Sequence, residues 1–220
     1  MKAEQVPIMA QLVKYAERWG EPWPKILESA FYIHGHLCGG MPLGFRAGLY
    51  ALHQLGVERE LNMEKVVFVE TSTRHAAGCF ADGVQLATGC TFGKGLIERL
   101  HYGKWALVLV DRKTLRAVRV SVRPEVVEAA FRSPFIEARK QGIPPTEVST
   151  DISRKLIENL FAKSDEELFT AQPIDRYDLA KETSTFVIHR CSSCGEVVAE
   201  NRLRLKNNQP VCIPCSGYGA

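Results

Sequence analysis

The chain predicts an α+β fold, in which helices pack on a small mixed or antiparallel sheet and a small cysteine-rich appendage follows at the C-terminus. Three observations carry this reading. Helical and strand patterns follow one another in the order helices, strand, helix, hairpin, helices. The 220 residues are enough to bury one full core and still carry a small addition. Four of the seven cysteines fall after residue 190, in two close pairs.

The elements follow from local pattern. Val6, Met9, Leu12, Val13 and Ala16 recur at helical spacing over residues 5–18, and Gly20 ends that helix. Pro22 and Pro24 open a second helix that runs to about His34, and a third spans Pro42 to Leu55 and stops at Gly56. The β-branched run from Lys65 to Glu70 predicts a buried strand. A short helix follows from about Cys79 to Ala87, ended by Gly89. Trp105–Val110 and Leu115–Val122 flank Asp111–Thr114 as a β-hairpin. Helices are expected near 124–141 and 145–162, divided by Gly142-Ile143-Pro144-Pro145, since the two prolines cannot sit inside one helix. Residues 164–185 are polar, contain Pro173 and lack periodicity, so they are expected to form a linker. The organisation is therefore a core domain over 1–163, a linker over 164–185 and a terminal domain over 186–220.

Composition excludes several classes. No apolar run approaches the roughly twenty residues that span a bilayer, so no membrane association is expected. Lys2-Ala3-Glu4-Gln5 lacks the apolar segment of a secretory signal, which points to a cytoplasmic protein with reduced thiols. A net charge of +3 is too small to argue for nucleic acid by itself. Arg190, Arg202, Arg204 and Lys206 make the C-terminal region locally basic, which keeps a nucleic-acid partner open.

The terminal cysteines are Cys191-Ser192-Ser193-Cys194 and Cys212-Ile213-Pro214-Cys215. Each pair brings two sulfurs to one point from a tight turn, and the intervening residues suffice for one hairpin. Four thiolates converging at about 2.3 Å make a closed tetrahedral zinc site, and the spacing is that of a zinc ribbon. Val197-Val198 and Arg202–Leu205 read as its strands, with Lys206–Gln209 turning between them. Disulfides and a thioredoxin-like redox pair fit less well, because the cysteine count is odd and the context reducing. His189 adjoins the site, but four cysteines already satisfy the ion.

Three polar segments interrupt the core pattern. His34-Gly35-His36-Leu37-Cys38-Gly39-Gly40 concentrates two imidazoles and a thiol at a helix junction, a set that can bind a transition metal or activate a thiolate. The bland alternative is a capping histidine beside a small buried cysteine. Cys79 and Asp82 are three residues apart, hence on one helix face. Thr88-Gly89-Cys90-Thr91-Phe92-Gly93-Lys94-Gly95 resembles a phosphate-binding loop but has three residues where that loop needs four, and Gly95 stands at its Ser/Thr position. Its backbone N–H groups can still meet an anion, and Lys94 can lower the pKa of Cys90 or hold a substrate carboxylate. Ser72 and His75 read as a solvated strand end, His53 as structural, and His101 has no evident partner.

These segments, with Tyr102-Gly103-Lys104 and Asp111-Arg112-Lys113-Thr114, resemble the formylmethanofuran dehydrogenase E-subunit family over roughly residues 25–125. The resemblance implies a homodimeric α+β core with a cysteine- and histidine-lined cleft, sometimes followed by a zinc finger. It implies an association with molybdenum or tungsten dehydrogenase subunits and methanogenesis-related, oxidoreductase-associated chemistry, without itself being the pterin-holding subunit. Gly39-Gly40 stands where members often have Pro-Gly, and Thr71–Gly78 is longer than usual.

The resulting expectation is a metal-binding protein with structural zinc on Cys191, Cys194, Cys212 and Cys215. Its core cleft takes a second metal, with His36 and Cys38 among the ligands, or a one-carbon or pterin-related small molecule. His34, His36 and Cys90 are the candidate cofactor-binding residues, and Cys38, Cys79, Asp82 and Lys94 the candidate catalytic ones. Asp82 would orient a histidine or move a proton. The alternative is an accessory or regulatory module whose ribbon docks a protein or nucleic acid.

Overall fold

A computed structural model describes residues 1–73, 77–180 and 185–217. Two units emerge, Met1–Asp178 and Leu179–Ala220. In the first, α1 (Val6–Val13) continues as a 3₁₀ turn, followed by α2 (Trp23–His34), α3 (Gly40–Leu55), β1 (Lys65–Val69) and α4 (Gly78–Thr88). Then come β2 (Ile97–Arg99), β3 (Ala106–Asp111), β4 (Ala117–Val122), α5 (Pro124–Phe131), α6 (Pro134–Lys140), α7 (Thr150–Ala162), α8 (Asp165–Leu168) and β5 (Phe169–Ile174).

The sheet is mixed, with strand order β2-β1-β3-β4-β5. Only β1 and β2 run parallel; the other neighbours are antiparallel. Val67, Val69, Leu107, Leu109, Val118 and Val120 present one buried face to α3 and α4. On their far side α3 and α4 meet a second cluster built on α1, α2 and α7, including Met9, Leu12, Phe31, Phe45, Ile157 and Phe161. Helix α3 is thus enclosed by both clusters. Each large side chain buried this way contributes about 1.5–3 kcal/mol.

Glycine lets α3 and α4 approach this closely. A Cβ at Gly44 or Gly83 would fall on the backbone of the facing helix, and one at Gly48 would come within 2.8 Å of the Ala87 Cβ. At Gly40 the neighbour is the Cys79 Cβ, 3.0 Å away. The stripe Gly40, Gly44, Gly48 follows the four-residue period of a helix face, and it seats the start of α4 against the start of α3.

The structure changes several expected boundaries. The helix expected over 124–141 is two helices, because Ser133 caps a new one by accepting the Ile136 N–H at 3.3 Å and Pro134 occupies its first position. Helix α7 begins at Thr150, not at 145. Residues 164–178, expected within a linker, belong to the first unit. Ser164 and Glu167 form a reciprocal capping box that starts α8, and β5 pairs with β4 from Phe169 to Ile174. Pro173 is accommodated because β5 is an edge strand. Buried Arg46 clamps this junction: its Nη1 donates to the carbonyls of Leu160 (2.6 Å) and Lys163 (2.8 Å), and its Nη2 pairs with Asp165. His53, expected in an apolar stripe, is exposed on α3. His75 lies outside the described residues.

The second unit is two hairpins and a helical turn. β6 (Ile188–Arg190) pairs with β7 (Val197–Ala199), and β8 (Leu203–Lys206) with β9 (Gln209–Cys212), followed by α9 (Ile213–Ser216). The expected turn over 206–209 is present, with Asn207 and Asn208 both at positive φ (51° and 59°), as a type I′ hairpin requires. The strand at 197–199, however, pairs back across the first cysteine knuckle rather than with 203–206. Among the described residues, no helix is long and apolar enough to cross a membrane.

Candidate metal centres

In the second unit the sulfurs of Cys191, Cys194, Cys212 and Cys215 all lie within 4.8 Å of one another. Cys194 Sγ and Cys212 Sγ are 3.9 Å apart, close to the edge of about 3.8 Å for a tetrahedron with 2.3 Å zinc–sulfur bonds. The backbone N–H groups of Ser193, Cys194 and Cys212 point at Cys191 Sγ from 3.3 to 3.5 Å. Those of Cys194 and Cys212 do most to lower the Cys191 thiol to about 6, so it is held as thiolate. Gly195, at φ +78°, closes this knuckle by donating to the Cys191 carbonyl at 2.9 Å. The donor set and its spacing fit zinc. A zinc ion on four thiolates carries two net negative charges, and the basic residues of the unit lie beside it. Lys206 donates to the Cys215 carbonyl and Arg190 to that of Gly195. His189 is no ligand; it faces Glu200 at 3.6 Å.

A second cluster forms in the core. His34, His36, Cys38 and Cys79 each offer one donor atom, all within 4.8 Å of one another. The chain achieves this in three steps. Gly35 takes the left-handed conformation (φ +88°) and ends α2 just past His34. Residues 35–39 then turn back, placing His36 against His34, ring centroids 4.2 Å apart, and Cys38 just ahead of α3. The glycine-mediated approach of α4 supplies Cys79 from its first turn.

Asp82 sits one turn after Cys79 and accepts from His34 Nδ1 at 2.8 Å. That leaves Nε2 facing Cys38 Sγ at 3.3 Å. A carboxylate behind a histidine, with the other ring nitrogen aimed at a sulfur, is how proteins orient a metal-binding imidazole. Burial lowers the pKa of His34, but hydrogen bonding to Asp82 and Cys79 outweighs it and raises the imidazole to about 9. A hydrogen bond from Cys38, opposed by burial and reinforced by His34 and His36, holds Cys79 far below the usual thiol range. The same hydrogen bond and its own burial push Cys38 well up. The cluster thus pairs a thiolate with an imidazolium, and a cation entering it would replace the protons on Cys38 and His34. Two nitrogens and two sulfurs of this kind suit tetrahedral zinc.

His36, Cys38 and Cys79 open onto a cavity of about 400 Å³. Besides Leu43 and the glycines at the starts of α3 and α4, its wall comes mostly from Trp105 and from helices α5 to α7, including Phe131, Phe135, Arg139 and Leu156. Sequence reasoning missed this wall, because those helices carry no polar motif.

Two candidates lie elsewhere. Cys90 follows α4 at its C-terminal end, about 16 Å of helix away from Cys79. It is fully buried in the sheet-side core, where burial raises its thiol to about 11. Lys94 is beside it, donating to the Glu60 carbonyl at 3.4 Å. Neither reaches the His/Cys cluster. Glu60, unremarked in the sequence, is completely buried there and pairs with Lys65 Nζ at 3.6 Å.

A family model described as "FmdE, Molybdenum formylmethanofuran dehydrogenase operon" matches residues 33–170, and one described as "Prokaryotic dksA/traR C4-type zinc finger" matches residues 185–217. An Archaeoglobus fulgidus protein described as a "Probable S-adenosyl-L-methionine-binding protein" is 31% identical over 208 residues, 88% of this chain and 53% of that protein. The chain therefore spans about half the length of this curated relative. The crystal structure of an FmdE-like protein of tungsten formylmethanofuran dehydrogenase type from Syntrophus aciditrophicus shares the fold. Its TM-score is 0.56 at 22% identity, covering 88% of this chain and 91% of that one. The chain belongs to the FmdE family and carries a C4-type zinc finger after its α+β core.

Proposed function

We propose that the core holds a second zinc ion between His34, His36, Cys38 and Cys79 and presents it to a small organic molecule in the adjoining cavity. The observation that carries this is the convergence of four soft donors from three chain segments, with Asp82 fixing the ring of His34. A zinc ion bound there would act as a Lewis acid on a ligand oxygen or on a water. His36, Cys38 and Cys79 face the cavity, so an incoming group can reach the ion as an added ligand. The cavity falls in the size range of small-molecule sites. The relative described as a probable S-adenosyl-L-methionine-binding protein supports a small-molecule role for this fold.

A second reading rests on the depressed pKa of Cys79. A metal-free thiolate between an imidazolium and a thiol can act as a nucleophile. The two readings separate on one crystal. Anomalous scattering across the zinc edge should give a peak bounded by residues 34, 36, 38 and 79 as well as one at the finger. A peak at the finger alone, with rapid alkylation of Cys79 near neutral pH, would overturn the metal reading in favour of the thiolate.

A further inference from the structure

The core cavity is apolar around most of its wall, with Leu43, Trp105, Phe131, Phe135 and Leu156 among the lining residues. Among the described residues, Arg139 is the one Asp, Glu, Lys or Arg side chain that lines it. It follows Phe135 and Ile136 by four and three residues, so a single face of α6 supplies two apolar groups and the guanidinium. Arg139 Nη1 donates to the Ile143 carbonyl, which ties the side chain to the loop after α6. Among the described residues, Nε and Nη2 have no hydrogen-bond partner and no carboxylate pairs with the group.

Arg139 is exposed, so its guanidinium stands at the solvent-facing rim of the cavity, where it is the one charged side chain among the described lining residues that an occupant would meet. Its planar fork of donors matches a carboxylate better than a point charge would. Counted with the Asp82 carboxylate behind His34, a divalent ion on two thiolates and two neutral imidazoles would leave one net negative charge at the inner end, which favours the carboxylate at Arg139 rather than there.

We infer that this cavity selects an organic monocarboxylate with an apolar body, its carboxylate held by Arg139 while the rest of the molecule lies toward His36 and Cys79. The role first expected of Lys94 passes to Arg139, which is the specificity-determining residue for the site. This rests on the proposed metal centre only for what meets the inner end of the ligand.

The test uses the full-length protein and two probes of equal shape, 4-phenylbutyrate and its neutral amide, titrated calorimetrically at millimolar concentration. The carboxylate should bind the unsubstituted protein more tightly than the amide. Arg139→Gln should weaken the carboxylate at least about tenfold, the usual effect of losing a charge-assisted hydrogen bond, and leave the amide unchanged. Arg139→Lys should recover part of the loss. Equal binding of the two probes, no binding of either, or an unaltered carboxylate affinity in Arg139→Gln overturns the inference. Metal content measured on the same samples, and on Cys79→Ser, separates this from the metal reading. A carboxylate preference without a core ion leaves the anchor standing. A core ion without that preference removes the anchor alone.

Discussion

The two clusters of soft donors are built on opposite principles. In the finger, all ligands fall between residues 191 and 215, each pair within one turn, and neighbouring backbone N–H groups point at the Cys191 sulfur. In the core, Cys79 comes from a helix more than forty residues beyond His34 and is brought in by packing that depends on Gly40 and Gly44. The finger surrounds its ion with four thiolates. The core combines sulfur with nitrogen, backs one imidazole with Asp82 and leaves a cavity on the open side. A local site draws its stability from the ion, whereas a convergent site draws its geometry from the fold and can give up one side to chemistry.

This difference can be broken experimentally, and the largest effect belongs to the finger. Cys191→Ser should unfold residues 185–217, because structural zinc supplies about 10–16 kcal/mol to such modules. Hydrogen exchange should show protection lost there and kept in the core; loss in both would mean that the two regions are not independent. Next in size is Gly44→Ala, which drives a methyl into the Phe80 backbone. It should destabilise the core by about 3 kcal/mol in denaturant unfolding and lower core metal occupancy while finger zinc is retained.

Asp82→Asn should retain the fold but weaken metal binding at the core by about 10–100-fold, measured by competition with a chromophoric chelator. The smallest effect is a pH dependence in protein stripped of metal. The folded pKa of His34 is raised from 6.5 to about 9, so its stabilising contribution is complete below 6.5 and lost as pH rises through 9. Cys79, held far below the usual thiol range, contributes in the opposite sense as pH rises toward the ordinary thiol pKa, so the two nearly cancel and the unfolding midpoint should change little across that window. Cys79→Ser should unmask the fall that belongs to His34.

The finger is legible in the sequence because its information is local: two CxxC pairs and an Asn-Asn turn suffice. Only the strand partner differs from expectation, since β7 pairs back to β6 across the first knuckle. In the core, the strand at 65–69, the hairpin and the helix ends at Gly20, Gly56 and Gly89 are readable, and so is the placement of Cys79 and Asp82 on one face, whereas the edge strands β2 and β5 are not. What stays hidden depends on tertiary contact. The spacing of Gly40, Gly44 and Gly48 carries meaning only once a facing helix is present. Arg46 fixes residues 160–165 through backbone carbonyls that have no sequence signature. Two of the differences have a local signal after all, because Ser133-Pro134 and Ser164–Glu167 are readable helix starts. Cys90 and Lys94 mislead because a glycine-rich motif close to Cys79 along the chain suggests one shared cleft, although a whole helix separates them.

The most direct test of the two-centre account is zinc content per folded chain, compared among the intact protein, the Cys191/Cys194/Cys212/Cys215→Ser variant and the Cys38/Cys79→Ser variant. The account requires two equivalents in the first and one in each of the others. One equivalent in the intact protein, none after loss of the finger cysteines and no change after loss of Cys38 and Cys79 would contradict it.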